Sequence, residues 1–207
     1  MNTSNESTGH DLSATLNVMA ELKTKTHSAH KELEKLHCFK RLFSDDYQID
    51  EYSRLLGSFY GFFCAIEPLL FSNLPDDQQP LLRHRIKTPC LKLDLAVFGK
   101  NPHDLPICQN IPNLETFGKK MGVLYVLEGS TLGGRIIGKH LSNHFGAQVG
   151  SALNFYGCYG QNVDVEWRSF MHFMDSHFSG QPAVDEVVQA ACATFTGLQQ
   201  WLEHCHR

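Results

Sequence analysis

Between Leu114 and Phe145 the chain reads as one long helix, yet it places glycine at positions 118, 122, 129, 133, 134 and 138. Each glycine costs a helix interior roughly 1 kcal/mol relative to alanine. A helix weakened six times over forms only where tertiary contacts compensate. Two arrangements do so. Small residues four apart let a second helix pack closely, and a glycine face lets a flat, bulky ligand lie directly on the backbone. Gly129 and Gly133 lie within about 40° of each other on a helical wheel, so they share a face, and Arg135 lies roughly 160° from Gly133 and points elsewhere. The polar run Gly129-Ser130-Thr131 predicts a local kink.

Helical spacing governs the rest of the chain. Leu12, Leu16, Met19, Leu22, Ala29, Leu33 and Leu36 mark an amphipathic helix ending near Leu36. A second covers roughly Asp50 to Phe71, with Leu55, Phe59, Phe62, Phe63, Ile66 and Leu70 turned inward. A third begins near Gln79, is interrupted at Thr88-Pro89 because proline disfavours helix at the preceding residue, and resumes from Leu91 to Phe98. Lys100 to Asn113 and Gly146 to Gln161 read as irregular, and two last helices span Val163 to Phe178 and Ala183 to His206. No alternating β-branched runs occur. The expected fold is all-α: a single-domain multi-helix bundle over residues 12–207, behind a polar, disordered tail of residues 1–11.

Bulk properties exclude several classes. With 42% hydrophobic and 19% charged residues the 207-residue chain is globular, and a net charge of -4 gives no whole-molecule attraction to nucleic acid or anionic membrane. The seven cysteines (38, 64, 90, 108, 158, 192 and 205) form no C-x-x-C pair, which points to free thiols in a reducing compartment rather than a disulfide frame or zinc site. The opening residues carry no signal-peptide pattern, and no run of about 18 apolar residues could span a bilayer. The expected location is cytoplasmic.

The opening helix carries a second constellation. Lys23, His27, His30, Glu34 and His37 recur at intervals of three or four and share one stripe. Neutral imidazole is a standard axial ligand for heme iron, and a metal-bound histidine usually gives its second ring N–H to a carboxylate or carbonyl. Glu34, one turn after His30, has that chemistry, and Lys23 could reach a heme propionate. A solvated helix face with incidental histidines explains the same stripe taken alone. Combined with the glycine face, the stripe describes a sandwich, with a histidine-bearing helix on one side of a flat ligand and a glycine floor on the other.

At these residues the sequence resembles the heme oxygenases, specifically the bacterial biliverdin-producing branch found with bacteriophytochromes. Leu22 to Glu34, LKTKTHSAHKELE, is similar to that family's proximal helix, and Gly122 to Arg135, GVLYVLEGSTLGGR, to its distal helix. The resemblance implies His30 as the axial iron ligand, Lys23 as a propionate partner and Glu34 as the carboxylate behind the histidine. It implies Gly129, Ser130 and Gly133 as the floor where oxygen chemistry occurs, with Gly134 beside them. Trp167-Arg168-Ser169 is similar to a later helix, which assigns Arg168 to a propionate. Where the animal branch has an aspartate after the first distal glycine, this chain has Ser130, leaving Ser130 and Thr131 as candidates to order distal water.

The resemblance also implies the reaction: heme, as substrate and cofactor at once, is opened by O₂ and external electrons to biliverdin, carbon monoxide and ferrous iron. The floor holds no histidine, arginine or carboxylate, which favours attack of activated oxygen on the ring edge. No flavin or nicotinamide motif is visible, so electrons are expected from a ferredoxin or flavoprotein reductase, with a bacteriophytochrome as a biliverdin acceptor. Two rivals stay open. A heme carrier or sensor would use the same residues without turnover. A non-heme di-iron oxidase would use Glu-x-x-His pairs, which occur at Glu34/His37 and Glu203/His206.

Overall fold

The structure, a computed structural model, describes residues 17–207. The expected tail (1–11) and the start of the predicted first helix (12–16) lie outside the described residues. Eight α-helices make up the described fold: α1 (Val18–Glu34), α2 (His37–Arg41), α3 (Ile49–Leu70), α4 (Gln79–Arg83), α5 (Thr88–Val97), α6 (Phe117–Phe145), α7 (Val163–His177) and α8 (Gln181–Cys205). Among the described residues there is no strand, as the absence of alternating patterns predicts.

Local chemistry sets the helix starts. The Asn17 side chain accepts the Ala20 N–H at 2.7 Å, and Thr116 accepts that of Lys119 at 3.2 Å, which caps α1 and α6. Gln48 and Glu51 form a capping box at the head of α3. The interruption expected at Thr88-Pro89 lies earlier. α4 ends at Arg83, residues 84–87 form the break, and Pro89 sits in the first turn of α5, where its missing N–H costs nothing. The new helix restarts there because the buried Glu67 carboxylate of α3 accepts the backbone N–H groups of Lys87 (2.6 Å) and Thr88 (3.1 Å). Burial pushes the Glu67 carboxyl above its usual range despite those bonds.

α3 runs through the centre. Leu55, Phe59, Phe62, Phe63, Ile66 and Leu70 are buried as expected, and so are Tyr52, Leu56 and Tyr60 on its other faces. Its Gly61 lets the loop after α5 cross directly over the backbone. A Cβ there would overlap the Pro106 carbonyl oxygen, and Cys108 N–H donates to Gly61 O at 3.1 Å. α8 supports both α1 and α6, which pack against it side by side. No described helix is long and apolar enough to cross a membrane.

α6 is a continuous helix. The kink predicted at Gly129 to Thr131 is not a break: the Ser130 and Thr131 hydroxyls donate to the carbonyl oxygens of Leu127 (2.6 Å) and Glu128 (2.7 Å), three residues back.

Candidate functional site

The register of α1 and α6 follows from their shared support. Gly118 and Gly122 of α6 lie on Glu186 and on Val187 and Ala190 of α8, while Lys25 and His30 of α1 lie at Cys192 and Phe195. Both helices therefore run in the same direction as α8. They come near one another at Thr26 of α1 and Tyr125 of α6. One turn beyond that point on each helix stand His30 and Gly129, and one turn further stand Glu34 and Gly133. The two predicted constellations thus stand at the same level of two neighbouring helices, just beyond Thr26 and Tyr125.

The six glycines of α6 divide by what a Cβ would meet. At Gly118 it would overlap the Glu186 carboxylate, and at Gly122 the Val187 carbonyl oxygen; these two serve helix packing against α8. At Gly134 it would come to 3.2 Å, and at Gly138 to 3.3 Å, from the Tyr156 side chain. Gly134, expected beside Gly133, is turned about 100° from it around the helix, and its Cβ position faces Tyr156. Gly129 would meet only the Trp167 ring, at 3.9 Å, and Gly133 nothing within 4 Å. Only Gly129 and Gly133, of the six, are free of close packing, and they are the pair sharing a face.

His30 is half exposed, with its ring edge-on to Phe195 of α8 at 5.8 Å between centroids. Its Nδ1 lies 3.5 Å from the Glu34 carboxylate, while Nε2 has no hydrogen-bond partner among the described residues. Glu34 bonds more closely to Lys31, at 2.7 Å. The Lys31 ammonium, with a smaller contribution from His30, holds that carboxyl below the usual carboxylate range. One imidazole nitrogen lies near a carboxylate and the other is available as a ligand, which suits heme iron. Gly133 is exposed and a Cβ there would meet nothing within 4 Å, so its backbone face is open to the approach of a flat macrocycle.

Ser130 is exposed beside this floor. Its proton is committed to Leu127 O, so towards the cleft its oxygen can accept a hydrogen bond but not donate one. Thr131 is buried. Lys23 and Arg168 are both exposed cations. α7 runs antiparallel to α1, since Met19 N–H reaches Asp175 Oδ1 (3.4 Å) while Trp167, eight residues earlier on α7, lies beside Tyr125 with its ring tilted and 5.9 Å away between centroids, so Lys23 and Arg168 stand on neighbouring helices. Arg135 pairs with Asp164 on the surface, away from the floor as its angular position predicts.

Sequence reasoning missed three contributors: Phe195 behind His30, Tyr125 near Thr26 and Trp167 beside Gly129. Trp167 and Tyr125 both stood inside runs that resembled the family, without a role assigned to either; Phe195 had no signal. His37 points away from the cleft and lines a hollow with Glu203 and His206 at the end of α8. The two Glu-x-x-His pairs thus approach one another in part, but Glu34 is held by Lys31, and no group of three or more metal-ligating side chains converges among the described residues. His140 and His144 bond the carbonyl oxygens of Leu42 (2.8 Å) and Tyr47 (2.9 Å), tying α6 to the loop after α2.

Comparison with known proteins identifies the family and the fold. The heme oxygenase family model matches residues 16–204. A heme oxygenase of Xanthomonas campestris is 26% identical over 146 residues, covering 70% of this chain and 85% of that protein. Among solved structures, heme oxygenase-1 of the cyanobacterium Synechocystis in complex with heme superposes with a TM-score of 0.74 at 14% identity, covering 92% of this chain and 93% of the other. The NO- and CO-bound heme oxygenase of Neisseria meningitidis gives 0.71 at 20% identity, with 92% of each chain covered. At those identities the structural likeness speaks to the fold.

Proposed function

This chain belongs to the heme oxygenase family, and on that footing we propose that it binds heme in the cleft between α1 and α6 and opens it oxidatively to biliverdin, carbon monoxide and ferrous iron. The observation that supports the reading is that His30, whose Nε2 has no partner among the described residues, stands level with Gly129 and Gly133 on the neighbouring helix, the two glycines of α6 free of close packing. Bound heme supplies oxygen activation and is itself the ring that is cut.

The protein's own groups do the rest. His30 ligates, with Glu34 behind it orienting the ring. Phe195 limits the swing of the imidazole. Gly129 and Gly133 let the macrocycle approach the α6 backbone, and the Trp167 ring bounds it on one side. Lys23 and Arg168 attract the propionates and so turn the plate in its own plane. Ser130 accepts a hydrogen bond from distal water without offering a proton, which leaves the floor free of strong acids and bases. Electrons come from a separate donor, a ferredoxin or flavoprotein reductase. Biliverdin made here suits a bacteriophytochrome as acceptor, and the seven free cysteines fit a reducing, cytoplasmic setting.

The test is an aerobic reaction of stoichiometric heme complex with a chemical or ferredoxin reductant, with the tetrapyrrole product and released carbon monoxide both measured. Biliverdin and carbon monoxide in equal amounts support the reading. A heme spectrum that survives every reductant would overturn it in favour of a carrier or sensor.

A further inference from the structure

A buried charged cluster lies behind the floor, outside the cleft. Arg85, in the break between α4 and α5, has a fully buried side chain, as do Lys87 and Glu128 at 2% and 1% exposure. The Arg85 guanidinium pairs with Glu128 Oε2, donates to the Glu166 carbonyl oxygen (3.2 Å) and carboxylate (3.3 Å), and lies over the Phe170 ring. Lys87 Nζ donates to Glu128 Oε1 at 2.6 Å and to the Tyr159 hydroxyl at 2.6 Å, and that hydroxyl lies 2.8 Å from each Glu128 oxygen. His84 Nε2 lies 2.8 Å from the same Glu166 oxygen, so that carboxylate is shared between Arg85 and His84.

A buried ion pair is a poor way to gain stability, because desolvation consumes most of the attraction and apolar side chains fill the same space as well. The positions of the two carboxylates suggest a different use. Glu128 immediately precedes Gly129 and Ser130; Glu166 immediately precedes Trp167 and Arg168. A glycine floor has no side chains of its own with which to lock the helix in place on the ligand side, so its position must be set from behind.

We propose that Arg85 is the positioning residue of the cleft, bridging Glu128 of α6 and Glu166 of α7 so that the glycine floor and the Trp167–Arg168 wall keep a fixed spacing. This rests on the heme oxygenase reading for its chemical consequence: the spacing sets how the plate is turned, and hence which of the four meso edges faces the reacting oxygen. A guanidinium is required because it donates to both carboxylates at once, which an ammonium in the same place cannot do in this geometry.

The experiment compares wild type with Arg85→Lys and Glu166→Ala. Glu166 is a quarter exposed, and its removal leaves the Arg85–Glu128 pair and the Arg85 bond to the residue-166 carbonyl oxygen in place, so that variant folds even if Arg85→Lys does not; His84→Ala, which removes only the histidine contact to Glu166, is the control and should behave as wild type. Three readouts are taken: melting temperature of the heme-free protein, hemin affinity by tryptophan quenching, and the ratio of biliverdin isomers after aerobic turnover. The expected result is a several-fold weaker hemin affinity and a changed isomer ratio in Glu166→Ala, with a melting temperature close to wild type. Arg85→Lys should show the same changes with a lower melting temperature. Unchanged affinity and isomer ratio in Glu166→Ala would overturn the proposal, whatever happens to stability. If wild type binds hemin but makes no biliverdin, the functional reading fails while the affinity comparison still decides the positioning role.

Discussion

Alanine at Gly133 and alanine at Gly122 should move the stability of one helix in opposite directions. At Gly133 a Cβ meets nothing within 4 Å, so the substitution removes only the conformational penalty of glycine in a helix, about 1 kcal/mol. For a chain of this size that corresponds to a melting temperature higher by roughly 2–4 °C in the heme-free protein. At Gly122 the new Cβ overlaps the Val187 carbonyl oxygen and comes to 2.8 Å from the Ala190 Cβ and 3.0 Å from the Ala191 nitrogen. Two of those three are backbone atoms of α8 and cannot swing aside. Overpacking of this kind costs about 3 kcal/mol at its upper end, which exceeds the propensity gain and leaves a net loss of about 2 kcal/mol. The melting temperature should then fall by roughly 4–8 °C. Ligand binding supplies the second half of the contrast. Gly133→Leu projects a side chain into the cleft and should weaken hemin affinity at least about tenfold, or about 1.4 kcal/mol. Thermal unfolding of the three heme-free variants followed by hemin titration gives every quantity. A Gly133→Ala protein that melts as low as Gly122→Ala, or a Gly133→Leu protein that binds hemin like wild type, would refute the division of glycines into packing and floor.

Other substitutions probe the remaining supports. His27→Ala and His37→Ala should keep the wild-type heme spectrum, since His37 lines a hollow at the far end of α8; loss of the Soret band in either would reassign the ligand. Asp94, fully buried, accepts the backbone N–H groups of Asn154 and Phe155, both at 2.8 Å, and Asp94→Ala should cost about 3 kcal/mol by stranding those donors, read in urea unfolding. Hydrogen bonds from Arg41 hold the Glu51 carboxyl down at about 2 from a usual 4.5, so its stabilising contribution is complete above about pH 4.5 and is lost as pH falls towards 2. Glu51→Gln should flatten that part of the acid-unfolding profile, and an unchanged profile would mean the pair carries no linkage.

Legibility in the sequence followed the range of the interactions involved. Helices with a clear apolar stripe, such as α3, could be placed to within a residue because spacing alone encodes them. Pro89 was misread because its effect depends on whether it falls inside a helix or in a first turn, and the carboxylate that starts α5 comes from Glu67 of another helix. His30 and Gly133 were singled out through helical period and family resemblance together, and the structure sets them on neighbouring helices. Gly134 was not separable from Gly133 without knowing that Tyr156, distant in sequence, packs on that side of α6. Arg85, Glu128 and Glu166 carried no sequence signal, since a buried charge looks like a surface charge until the chain is folded around it.

The central claim is that the cleft between His30 and the Gly129–Gly133 floor is the heme site. The most direct test is an absorption titration of wild type and His30→Ala with hemin, side by side. The account predicts one equivalent of hemin bound by wild type with a histidine-ligated Soret spectrum, and loss of that spectrum in His30→Ala while the heme-free variant stays folded. An unaltered histidine–heme spectrum in His30→Ala would contradict it and move the iron ligand to another of the twelve histidines.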